Sequence, residues 1–113
     1  MHEMSIVQGI LSACLPEAEK HGAGKILSVK LKIGEMSGLV PQIMEEYFRV
    51  AASGTAAADA SLVIERVPVR IHCTSCGYEG GVTPRKYRCP QCESADFRIV
   101  SGREYLVDSM EVA

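Results

Sequence analysis

The chain has 113 residues, 47% of them hydrophobic and 23% charged, close to the average of a folded globular chain. That balance excludes a disordered or low-complexity chain, and no apolar run reaches the roughly 18 residues of a membrane span. A net charge of −2 argues against a generic polyanion binder.

No cationic stretch followed by an apolar core opens the chain, so no signal peptide is expected and the expected compartment is the cytoplasm. Residues 4–20 read as a helix. Met4, Val7, Leu11, Cys14 and Ala18 recur at helical spacing, and Ile6 and Ile10 widen the stripe. Glu3 falls in the first turn, where the helix dipole favours an anion, and Gly22 and Gly24 supply the stop. Pro16 lacks the N–H that a helix interior uses, so a kink, or a break at Leu15 with a restart, is expected there.

Lys25–Ile33 alternates. Leu27, Val29, Leu31 and Ile33 are expected on one face, with Ser28, Lys30 and Lys32 on a wet face. Residues 34–38 read as a loop. Pro41 suits the first position of a second helix, whose apolar face is Ile43, Met44, Tyr47, Phe48 and Ala51, with Gly54 beyond its end. Thr55–Ala60 is a connector of small residues, and Ser61–Val67 is a strand that Pro68 ends or places at an edge. Tyr105–Val112 is a final alternating strand.

Between these last two strands lie four cysteines spaced C-x2-C-x12-C-x2-C: Cys73, Cys76, Cys89 and Cys92. The flanking strands are expected to form a long hairpin with this module at its tip. The fold class is therefore α+β: two helices packed on a small three-stranded antiparallel sheet, with an inserted zinc-ribbon-like four-cysteine module. The expected division is 1–69 plus 104–113 for the α+β domain and 70–103 for the module.

Each C-x2-C half forms a tight turn offering two thiolates, and two such turns close a tetrahedral all-sulfur site. Structural Zn²⁺ leads for that donor set; an iron centre and redox dithiols are the alternatives. Such a site has no open position for water, so the ion is structural rather than catalytic. Gly77, after the first pair, helps its turn close; Glu93 holds the equivalent place after the second and is expected to be more strained. His72 reads as a surface residue sooner than as a donor behind the metal or an exchange ligand. Residues 70–103 carry six cationic and three acidic side chains; four thiolates and one Zn²⁺ bring that +3 to +1, against −5 for the rest. This is a poor footprint for nucleic acid.

Cys14 sits on an apolar stripe and reads as buried and inert rather than as a nucleophile. No nucleophile elbow or phosphate loop is present, so an enzyme is not expected. Met1-His2-Glu3 opens the chain. A free α-amine, the His2 backbone nitrogen and its ring Nδ1 can chelate one ion, with Glu3 offering a backbone nitrogen or carboxylate as fourth donor. Planar nitrogen-rich chelation suits Ni(II) or Cu(II). Taken by position alone, His2 is an ordinary residue at a frayed end.

Residues 1–5 (MHEMS), 33–38 (IGEMSG), 52–55 (ASGT), the two cysteine pairs, 101–106 (SGREYL) and 109–112 (SMEV) follow one another in order. Together they resemble the HypA family of nickel metallochaperones. The resemblance implies a transient Ni²⁺ site at Met1, His2 and Glu3, and a structural Zn²⁺ on Cys73, Cys76, Cys89 and Cys92. It also implies delivery of nickel to the large-subunit precursor of nickel–iron hydrogenase with a GTPase partner, HypB, and in some members to urease. Neither nucleic acid nor a membrane is an expected partner, and monomer and weak homodimer both fit the sequence. The competing reading is a zinc-ribbon adaptor that binds nucleic acid or protein without carrying nickel.

Overall fold

In the computed structural model, residues 2–83 and 85–113 are described; Met1, Pro84 and the side chain of His2 lie outside. The elements, in chain order, are α1 (His2–Lys20), β1 (Ile26–Gly34), α2 (Pro41–Ala52), β2 (Ser61–Val67), β3 (Arg70–Cys73), β4 (Glu79–Gly81), β5 (Phe97–Ser101) and β6 (Tyr105–Val112). The α+β class expected from the sequence holds.

The apolar stripe of α1 is buried at Val7, Leu11, Cys14 and Ala18. The helix runs on through Pro16, where a kink or restart was expected. Proline deletes one backbone bond, but the buried positions on both sides of it keep the helix in register. Helix α2 packs on α1 and buries Met44, Phe48 and Ala52. The residue before it, Val40, is its N-cap and makes no side-chain cap hydrogen bond.

In β1 the alternation holds over Val29, Leu31 and Ile33, all buried. Its start differs: Ile26 is fully buried and Leu27 is 45% exposed, so the inward phase shifts by one residue there. The ends of the strand explain why. Ile26 donates its amide to the Ala56 carbonyl, which pins this residue to the small-residue connector, where Ala57 is also fully buried.

The first sheet has the order β2-β1-β6. The expected hairpin between β2 and β6 is therefore not formed, because β1 lies between them. Nor is the sheet all-antiparallel. Ala113 N–H bonds to Lys25 O and Gly34 N–H to Glu104 O, so β6 runs antiparallel to β1. On the other edge, Lys25 meets Asp59, Lys30 meets Glu65, and Glu35 N–H bonds to Val67 O, so β2 runs parallel to β1. The crossover through α2 returns the chain to the end where β1 began, which is what a parallel pair needs. Lys30 and Lys32 do face water, where Asp108 on β6 and Glu65 on β2 flank them.

The second sheet, with order β4-β3-β5, is antiparallel throughout. Its buried core is Val69, Ile71, Cys73 and Cys89, with Met36, Tyr78, Val82, Phe97 and Ile99 packed around it. Its strands are only three to five residues long, too short for alternation to mark them in the sequence.

By its contacts the chain divides into two units: residues 1–32, 39–65 and 106–113, and residues 33–38 and 66–105. The second is wider than 70–103 and includes the loop after β1.

Candidate metal centre

Two copies of one turn build the cysteine cluster. In the first, Cys73 N–H donates to Tyr78 O, and Cys73 O accepts from Gly77 N–H at 3.0 Å. In the second, Cys89 N–H donates to Ser94 O, and Cys89 O accepts from Glu93 N–H at 2.8 Å. Such a turn needs left-handed backbone at its fifth residue, and Gly77 (φ 81) and Glu93 (φ 62) supply it. The halves are joined by Ser75 Oγ to Ser94 Oγ at 3.1 Å, and by the Thr74 amide and hydroxyl, both donating to Asp96 O.

The four Sγ atoms lie within 4.8 Å of one another. Cys73 and Cys92 sulfurs are 3.6 Å apart, as are those of Cys76 and Cys89. These separations are far beyond a disulfide bond of about 2.05 Å. They match a tetrahedron with metal–sulfur bonds of about 2.3 Å, whose edges are about 3.8 Å. The donor set therefore fits one four-coordinate ion. Cys73 and Cys89 are buried, while Cys76 and Cys92 reach the surface.

Backbone amides prepare the charge. The Cys76 amide, and then that of Ser75, lower the Cys73 thiol to about 6. At Cys92 the Ser94 amide favours the thiolate, but burial and the three neighbouring sulfurs outweigh it and push the thiol up to about 12. At Cys76 the Tyr78 amide lowers the thiol, as the Cys92 sulfur does, but desolvation and the sulfurs of Cys89 and Cys73 outweigh them and raise it. Without a cation, the cluster holds protons that an ion must displace.

His72 is not in the sulfur set. It stands opposite Glu79 on β4, its Nδ1 3.4 Å from Oε1 of that residue. Cys14 is 3% exposed, and burial raises its thiol. His21 pairs on the surface with Glu17.

Of the N-terminal trio, Met1 and the His2 side chain lie outside the described residues, so the expected chelate falls there. Glu3 is 9% exposed, and its Oε2 accepts a hydrogen bond from the Val40 amide at 3.4 Å. Its carboxylate thus lies at the positive end of α2, which has no acidic residue in its own first turn.

Residues 34–38, read from the sequence as a plain loop, dock on the cysteine unit. Glu35 N–H bonds to Val67 O, Glu35 Oε1 accepts from Val69 N–H at 3.0 Å, and Met36 N–H bonds to Gly102 O. A Cβ at Gly34 would collide with the Gly102 carbonyl, so only glycine fits. The Gly-Glu-Met run was a signal of this role, though nothing in its spacing named the partner.

Fold and site together define a small α+β metal-binding protein with a closed four-thiolate centre. A family model described as "Hydrogenase/urease nickel incorporation, metallochaperone, hypA" matches residues 1–112, and the chain belongs to this HypA family. A "Hydrogenase maturation factor HypA" of Geobacter metallireducens is 44% identical over 112 residues, covering 99% of both chains. Another, of Chlorobium luteolum, is 41% identical over 110 residues, covering 97% of this chain and 94% of that one. Among solved structures, the nickel metallochaperone HypA from Helicobacter pylori superposes with a TM-score of 0.69 at 28% identity, covering 97% of this chain and 96% of that one. A second HypA solution structure gives 0.75 at 28% identity, covering 100% and 97%. Among the described residues, no helix is long and apolar enough to cross a membrane.

Proposed function

We propose that this chain is a cytoplasmic nickel carrier, not an enzyme. It binds Ni(II) at Met1, His2 and Glu3 and delivers it during maturation of nickel–iron hydrogenase, and of urease where a host has one. Cys73, Cys76, Cys89 and Cys92 hold a structural Zn²⁺. The GTPase HypB and the hydrogenase large-subunit precursor are the partners. Residues 1–69 with 104–113 serve nickel, and 70–103 are the zinc module.

The observation that carries this reading is the completeness of the four-thiolate set. Four sulfurs within 4.8 Å leave a tetrahedral ion no open position, so a cargo that must leave again needs a different site. The N-terminus supplies one. The first-turn amides of α1 have no intrahelical carbonyl to bond, so recruiting the nitrogens of His2 and Glu3 breaks no helix bond. Nickel favours such nitrogen donors in a plane, whereas zinc favours the tetrahedron of thiolates. With the Glu3 carboxylate engaged at the Val40 amide, its backbone nitrogen is the fourth donor and its side chain steadies the end of α1.

The test is His2→Ala in protein whose terminus is Met1. Tight nickel binding should vanish while zinc stays at one per chain and the circular dichroism spectrum is unchanged. Retained tight nickel binding would place the cargo site elsewhere.

A further inference from the structure

Beside the second cysteine pair, the loop after β4 closes a pocket of about 420 Å³. Arg85, Lys86, Tyr87, Arg88, Pro90 and Glu93 line it, together with Thr83 and the buried Cys89. Three cations thus converge on one concavity, and no ion pair among the described residues engages any of them. A second feature marks the same place. Among the described residues, two that are not glycine adopt left-handed backbone, and both line this pocket: the cysteine turn accounts for Glu93 (φ 62), and Arg85 (φ 67) has no such cause. Strain of the kind at Arg85 collects where a surface is shaped to bind.

We propose that this pocket takes a carboxylate of an acidic segment of a partner protein. Arginine forks match carboxylates in a bidentate way, and Tyr87, 38% exposed, and Pro90 offer apolar walls for the segment's stem. Nucleic acid fits less well. A phosphate backbone needs an extended cationic track. Here the cations instead line a single concavity. The inference rests on the carrier reading only in giving the chain a recipient protein to recognise. The recognition itself needs no nickel.

The experiment is fluorescence anisotropy of a fluorescein-labelled peptide of alternating Asp and Glu, titrated with zinc-loaded protein. Saturable binding is expected, weakened roughly tenfold or more by Arg88→Gln, in line with losing one charge-assisted bond. Glu93→Gln, which removes the opposing charge, should tighten it severalfold. Both variants should keep full zinc. If Arg88→Gln loses zinc, Glu93→Gln decides alone. His2→Ala should bind the peptide like the parent, so loss of nickel binding and loss of peptide binding are read separately. No binding, equal binding by parent and variants, or a preference for an RNA oligonucleotide of equal charge would each overturn the proposal.

Discussion

Gly77 and Glu93 occupy equivalent places in the two halves of the cysteine cluster, each the fifth residue of its turn and each in left-handed backbone, at φ 81 and 62. One half uses the residue that adopts this conformation freely. The other holds a side chain there at a cost of about 1 kcal/mol.

Glu93→Gly should therefore stabilise the zinc-loaded protein by roughly that amount, raising Tm by several degrees. Calorimetry checks it. A lowered Tm would mean that the Glu93 side chain contributes more than its backbone strain removes.

Cys89→Ser removes a buried donor from a closed set of four. Metal content should drop below one per chain, and Tm should fall by more than about 10 °C, since a structural ion contributes directly to folding. The parent's metal affinity should also fall as pH falls. Protonation competes for thiols such as Cys92, which stands at about 12 without a cation, so metal uptake should release protons. Elemental analysis with a pH-resolved chelator competition measures both.

Gly34→Ala tests the docking of the loop after β1. The added methyl meets the Gly102 carbonyl, a backbone atom that cannot swing away. A loss of at least about 2 kcal/mol is expected, at the upper part of the range for overpacking. Chemical denaturation would show it, and a near-neutral variant would mean that residues 33–38 yield easily.

Glu104 has its carboxyl lowered by its own amide and by that of Gly102, which donates to Oε1. A carboxyl lowered in the folded state stabilises the fold above its unfolded value, near 4.5, and loses that contribution as pH falls through the folded value. Glu104→Gln should thus be less stable than the parent at neutral pH and converge with it in acid. Urea midpoints across that range settle the sign.

Both helices and all three long strands were legible in the sequence: α1, α2 and most of β1 carry buried apolar stripes, whereas β2 and β6, which bury no residue fully, were marked by their alternation and by the breakers that flank them. So were the four cysteines, whose type and spacing state their chemistry. Three things were not. The place of β1 between β2 and β6 depends on which edges pair, and alternation says nothing of that. The short strands β3, β4 and β5 owe their form to the cluster and to Ile71 and Val69 beneath it, more than to their own pattern. The bond from Glu3 to Val40 spans 37 positions, and no local signal announces it.

The central claim is the separation of a resident ion on four sulfurs from a transient one at the N-terminus. The most direct measurement is a Ni(II) titration of zinc-loaded protein with Met1 as its terminus, beside the same protein carrying a short N-terminal extension. Tight binding of one nickel by the first and none by the second is the predicted result. Equal binding by both would contradict the assignment to Met1, His2 and Glu3, and binding by neither would leave a zinc-ribbon adaptor in place of a carrier.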